Sequence, residues 1–192
     1  MATWSRLAKG TFVGAVLLCV GATPPVRAQV AFSLSSPDVH PGARFASAQV
    51  YNGMGCTGGN VSPALVWRGA PAATRSFAVT IYDPDAPTGS GWWHWVVFNI
   101  PRTVSSLPTG AGDPAKKLLP AGSTQGKTDF GTAAYGGPCP PAGDKPHHYI
   151  ITVYALNVDK IEVPSGATAA NVGFNIHAHT IDKATFTALY GR

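Results

Sequence analysis

The chain has 192 residues, among them 22 glycines and 17 prolines, a composition that excludes a helical bundle or coiled coil because both residues are costly inside helices. Charged residues are 12% and hydrophobic residues 45%, the reverse of the balance that disorder needs, so the chain buries a core and reads as a turn-rich, mainly β domain. The formal net charge is +5.

The basicity is concentrated at the start. Arg6 and Lys9 precede an apolar run from Thr11 to Ala22 that is too short to span a bilayer, and Pro24 and Pro25 end it. Val26-Arg27-Ala28 then offers a small-residue cleavage site before Gln29. Residues 1–28 therefore read as a cleaved secretory signal peptide, leaving a single domain, 29–192, that is periplasmic or secreted and has no transmembrane span. Cys19 follows Leu18, where lipoprotein processing wants a small residue, so no lipid anchor is expected. Arg6, Lys9 and Arg27 account for three of the 14 basic residues and no acid accompanies them, so the chain from residue 29 onward carries +2 against its 9 acids. Its basic residues are scattered, and nothing marks a nucleic-acid surface.

In chain order, Val30 to Leu34 is a short first strand and Phe45 to Val50 a second, followed by a glycine-rich turn region from Tyr51 to Asn60. Ala64 to Trp67 is a short strand. Ser76 to Tyr82 (SFAVTIY) and Trp92 to Ile100 (WWHWVVFNI) are stronger, and the second, apolar on both faces, belongs in the middle of a sheet. From Pro101 to Pro146 the chain is mostly turn formers, a length that usually signals a functional loop. His147 to Leu156 is another firm strand. Ser165 caps a helix from Ala167 to about Ala178, and Thr185 to Tyr190 is a terminal strand. The expected fold is a two-sheet β-sandwich with Greek-key-like connections and a C-terminal helix.

Polar residues gather at strand ends. Asp83-Pro84-Asp85-Ala86-Pro87 follows a strand directly, and its prolines stiffen the turn that carries both carboxylates. Side chains alternate along a strand, which places His94 with Trp92, Val96, Phe98 and Ile100. The same rule places His147 and Tyr149 with Ile151 and Val153, and turns His148 to the other face. Before that strand, Tyr135-Gly136-Gly137-Pro138-Cys139-Pro140-Pro141 is a rigid loop in which the N–H groups of Gly137 and Cys139 are free to face an anion. Cys56 and Cys139 are the two cysteines of the mature chain, an even count that in an oxidising compartment suits either a disulfide or two separate buried thiols.

DPDAPTGSGWWHWVVFNIP (83–101) and GPCPPAGDKPHHYIITVYAL (137–156) resemble the phosphatidylethanolamine-binding protein family, and more closely its bacterial Raf-kinase-inhibitor-like branch. NGMGCTGGNVSPALVW (52–67) and NVGFNIHAH (171–179) are similar to the same branch, so the resemblance spans essentially the whole mature chain. It implies a β-sandwich with a small anion pocket at one end that receives phosphate-bearing head groups or similar anions. Carried over by motif, the pocket residues are Asp83, Asp85, His94, His147 and Tyr149, with backbone donors from the loop holding Gly137 and Cys139. Exported members of the branch have cysteines at both positions, which favours the Cys56–Cys139 disulfide. Mammalian members place a second histidine where this chain has Trp93, which implies a more apolar pocket rim here.

The chemistry these residues suggest is binding. Two imidazoles and the Tyr149 hydroxyl would donate to phosphate oxygens, with Asp83 orienting a histidine, and affinity would fall as rising pH discharges the imidazoles. The partner is a small phosphorylated molecule, a lipid head group or an acidic group on a protein that an exposed loop inhibits or modulates. No nucleophile stands out, since Ser90 has no elbow motif, and neither an enzymatic role nor a cofactor is expected. The rival reading is a metal-dependent hydrolase with Asp83, Asp85, His94 and His147 as ligands, but they lack the spacing of known zinc motifs and no metal is expected.

Overall fold

The computed structural model describes residues 1–2 and 30–192. The expected signal peptide, 1–28, lies outside the described residues apart from its first two.

The long apolar runs pair into one antiparallel sheet. β5 (Ser76–Asp83), β6 (Trp92–Pro101), β9 (His147–Leu156) and β10 (Thr180–Tyr190) assemble with the two-residue β8 (Thr124–Gln125) in the order β10-β9-β5-β6-β8. A smaller sheet, β1 (Ser33–Ser35), β4 (Leu65–Arg68) and β7 (Ser106–Leu107), has the order β1-β4-β7. The chain crosses between the sheets from β4 to β5, from β6 to β7 and from β7 to β8. β6 is apolar on both sides because both faces of the large sheet are covered. One face packs Phe77, Val79, Ile81, Trp95, Val97, Ile151 and Val153 against Leu65, Trp67 and Leu107 of the small sheet. The other packs Ala78, Val96, Phe98 and Leu156 against Ala169, Val172 and Ile176 of helix α1 (Ala169–His179).

Several sequence expectations shift. The strand expected over Phe45 to Val50 does not form. Its backbone turns on itself through Gln49 N–H to Ala46 O and meets the far strand through Phe45 N–H to Leu189 O, while the Phe45 ring is buried in the core. The glycine-rich region contains a small hairpin, β2 (Asn52–Gly53) and β3 (Cys56–Thr57). Its two turn residues, Met54 and Gly55, both have positive φ, the backbone that a tight two-residue hairpin demands. The helix is capped by Thr168, whose hydroxyl accepts the Asn171 N–H at 3.2 Å, rather than by Ser165. β10 begins at Thr180, five residues earlier than its apolar pattern suggests, because it is an edge strand whose polar first half faces water.

Cys56 and Cys139 form a disulfide with their Cα atoms 6.0 Å apart, tying the β2–β3 hairpin to the loop before β9 across 83 positions. Closing so long a loop restricts the unfolded chain by roughly 4 kcal/mol. The double variant Cys56→Ser/Cys139→Ser should lose about 2–5 kcal/mol of unfolding free energy in urea, and a reductant should affect only the parent protein.

Candidate functional site

β5 runs antiparallel to both neighbours, so its end lies beside the starts of β6 and β9. Asp83, Trp92, His94, His147 and Tyr149 thus meet at one end of the large sheet, on the face that looks toward the small sheet. They line a cavity of about 370 Å³. Ala86, Pro87 and Thr88 of the turn after β5 close one side, and Phe130, Cys139, Pro140 and Pro141 of the long loop another. Met54 and Arg192 stand at the mouth.

His94 reaches this face through a β-bulge, not through simple alternation. Tyr82 pairs with Trp93 and the next residue back, Ile81, pairs with Trp95, which leaves His94 as the extra residue. Trp93 packs toward the helix layer, against Tyr82 at 4.8 Å between ring centroids. Val96 and Phe98 lie on that side too, so the expected grouping of His94 with them is corrected. Trp93 does not line the cavity, so the apolar rim expected from it is corrected as well; Trp92, Phe130 and the prolines supply that character instead.

The bulged residue is gripped by the loop. The Gly136 N–H donates to the His94 carbonyl at 2.9 Å, and His94 Nδ1 donates to the Gly136 carbonyl at 2.7 Å. One residue earlier, Asp129 Oδ2 accepts the Trp93 N–H at 2.8 Å. A Cβ on Gly136 would lie 2.3 Å from the Phe130 ring, so only glycine lets the loop approach this closely. Burial, the dominant influence, pushes the His94 pKa down to about 4, against the opposing pull of the Gly136 carbonyl and the Asp83 charge. His94 is therefore neutral near pH 7. With Nδ1–H committed to a carbonyl, its Nε2 is an acceptor, which corrects the expectation that both imidazoles donate.

Asp83 is 3% exposed and both its oxygens are engaged. Oδ1 accepts the Asp85 N–H at 2.8 Å, closing the turn on itself, and Oδ2 accepts His147 Nδ1–H at 2.8 Å. His147 Nε2 lies 3.5 Å from Asp144 Oδ2. Tyr149 is fully buried beside His94, 5.0 Å between ring centroids, and its hydroxyl has no hydrogen-bond partner among the described residues. Burial and the Asp83 charge push its pKa upward, so it stays a phenol.

Two expected site residues do not face the cavity. Asp85 Oδ2 accepts from the His148 backbone N–H at 2.7 Å and its Nδ1 at 2.8 Å. Burial alone would raise the Asp85 pKa, but these bonds and the nearby imidazoles together hold it below the ordinary carboxylate range. His148, turned to the other face as expected, is thus the anchor of the DPDAP turn rather than a bystander. Gly137 N–H is committed to Asn60 Oδ1 at 2.8 Å, and a Cβ there would lie 2.0 Å from the Gln49 carbonyl, so Gly137 is a packing glycine. Cys139 does line the cavity, and its N–H has no partner among the described residues.

Arg192 is the residue that sequence reading missed. It donates to the carbonyls of Pro140 at 2.7 Å and Gly55 at 2.8 Å, which fixes a guanidinium at the mouth with no carboxylate paired to it among the described residues. An arginine thirteen residues beyond the late helix carries no local signal of this role.

The sequence pattern of the phosphatidylethanolamine-binding protein family matches residues 35–191. The chain belongs to this family. It is 52% identical over 160 residues to the UPF0098 protein YbcL of Escherichia coli K12, covering 83% of this chain and 87% of that one. It is 36% identical over 149 residues to the putative lipoprotein LppC of Mycobacterium tuberculosis H37Rv, covering 78% and 67%. The crystal structure of E. coli YbcL superposes with a TM-score of 0.82 at 51% identity, covering 84% of this chain and 98% of that one. A phosphatidylethanolamine-binding protein homologue from Chlamydia trachomatis superposes with a TM-score of 0.69 at 27% identity, covering 84% and 98%. Among the described residues no helix is long and apolar enough to cross a membrane.

A buried histidine that must stay neutral makes stability depend on pH. The His94 pKa lies below its unfolded value of about 6.5, so its contribution is present above that pH and is lost as pH falls toward about 4. His94→Gln should flatten this part of the stability profile relative to the parent protein, measured by urea unfolding across the same window.

Proposed function

We propose that the protein is an exported, non-enzymatic binding protein whose cavity holds a small phosphoryl-bearing anion. The observation that carries this reading is the Tyr149 hydroxyl, a buried polar group with no partner among the described residues, on a side chain that lines a cavity also lined by Arg192. A buried donor left unmade costs about 1–3 kcal/mol, and a ligand oxygen would recover it. The Cys139 N–H and the Arg192 guanidinium add donors on the loop side. Both Asp83 oxygens are already occupied by His147 and the Asp85 N–H, so its negative charge is partly offset but still limits how much charge a ligand can carry.

The same geometry weighs against the hydrolase reading. Of its four suggested ligands, Asp85 lies outside the cavity on His148, and both Asp83 oxygens and the Nδ1 atoms of His94 and His147 are already committed to protein partners. No group of three or more His, Cys, Asp or Glu side chains is placed to hold a metal among the described residues. The Thr88 hydroxyl, on a residue that lines the cavity, is bonded to the Gly91 carbonyl at 2.5 Å and hydrogen-bonds to no side-chain base among the described residues. Export rests on the leader at residues 1–28, and the similarity to a putative lipoprotein supports an envelope setting.

Tyr149→Phe is the sharpest test, because the hydroxyl makes no bond that the fold would miss. Its unfolding free energy should not fall and should rise by up to about 1–3 kcal/mol, because the variant removes a buried hydroxyl that has no partner among the described residues. Its affinity for inorganic phosphate or phosphoethanolamine, by calorimetry, should fall about 10-fold or more, the value of a hydrogen bond to a charged group. Unchanged affinity would place the anion elsewhere. Arg192→Ala should weaken the same ligands, and the loss should shrink at high salt because the guanidinium sits at the exposed mouth.

A further inference from the structure

The anchored histidine constrains which phosphoryl group fits. A carbonyl only accepts, so the 2.7 Å contact with Gly136 O places a proton on His94 Nδ1. The ring cannot turn over without giving up this bond, and the Gly136 N–H holds the His94 backbone in place. Nε2 has no hydrogen-bond partner among the described residues and is not sealed in, so it opens on the cavity that His94 lines. Burial keeps the ring neutral near pH 7, so Nε2 offers a lone pair. A fully ionised phosphate presents only lone pairs in return, whereas a phosphoryl O–H presents a donor.

The surrounding charges point the same way. β5 brings the Asp83 carboxylate, β9 brings His147 and the Tyr149 hydroxyl, and the long loop brings Asp144 beside His147 and Asp129 behind His94. Against these carboxylates, Arg192 is the one Arg or Lys among the described residues that line the cavity. A second negative charge on the ligand would meet no further Lys or Arg among the described residues that line the cavity.

We infer that the cavity selects the singly protonated monoanion of a phosphomonoester, with its P–O–H donating to His94 Nε2, over the phosphate dianion and over phosphodiesters. The inference rests on the phosphoryl-binding reading above and narrows it. A phospholipid head group joined through a phosphodiester carries one charge but no P–O–H, so a free phosphomonoester is the better match.

Calorimetry on the parent protein with methyl phosphate, methyl sulfate, dimethyl phosphate and methylphosphonate tests this without any variant. At about pH 5.5 methyl phosphate should bind at least about 10-fold more tightly than methyl sulfate or dimethyl phosphate, which carry the same single charge but no acidic proton. Its affinity should fall by up to about tenfold per pH unit above its own second pKa, near 6. With methylphosphonate, whose second ionisation lies higher, the midpoint should move up by the difference between the two ligands. A midpoint shared by both ligands would assign the pH dependence to the protein and overturn the inference, as would equal affinity for methyl sulfate. Either result leaves phosphoryl binding standing, whereas no binding of any of the four at any pH removes that reading and this one together. Nitrogen-15 imidazole shifts add a direct check: His94 Nε2 should be bare at pH 7 and hydrogen-bonded once methyl phosphate is added at pH 5.5, and a protonated Nε2 in the free protein would overturn the assignment.

Discussion

The site depends on the two-point grip between His94 and Gly136. A regular strand would turn His94 into the helix layer, where Val96 and Phe98 lie, and a polar ring there would face apolar side chains. The bulge instead puts two successive residues, His94 and Trp95, on the same face, and an unpaired bulge needs new partners for its backbone. The long loop provides them, through Gly136 for His94 and Asp129 for Trp93. In doing so it also brings Phe130 and the Cys139–Pro141 stretch to the cavity wall. The loop that looks unstructured by composition is therefore the continuation of the sheet edge by other means.

The polar groups of the site divide into those that build it and those left for a ligand. Both Asp83 oxygens, His147 Nδ1, His94 Nδ1, the Gly137 N–H and the whole Asp85–His148 pair are committed to protein partners. The Tyr149 hydroxyl, His94 Nε2 and the Cys139 N–H have no such partner among the described residues. Such a division is what preorganisation requires: the groups that orient are locked, and the groups that bind need not break a bond to do so. Asp83 shows how far this goes: its two oxygens are spent on a turn and on the orientation of one imidazole.

The disulfide and Arg192 work on the mouth in a similar way. The β2–β3 hairpin, the loop at Cys139 and the last residue of the chain come from three distant parts of the sequence. The covalent bond joins the first two, and the guanidinium bridges carbonyls from both. The mouth is thus rigid where it carries charge, although the segments that form it have little secondary structure.

Read alone, the sequence determined the long strands, the pairing of faces along the His147–Leu156 strand, the stiff DPDAP turn and the family. These are local properties, in which alternation, turn chemistry and motif order act over a few residues. It also pointed to Asp83, His94, His147, Tyr149 and Cys139, all of which line the cavity. Tertiary structure decided the rest. Alternation cannot reveal a bulge, because an extra residue is defined only by the strand it fails to pair with, so the face of His94 was reached by the wrong route. Whether Asp85 and Gly137 bind or build depended on His148 and Asn60, partners supplied by other segments. The charge state of His94 followed from its burial, and the role of Arg192 from a fold that returns the chain's last residue to the site, neither of which any local pattern encodes.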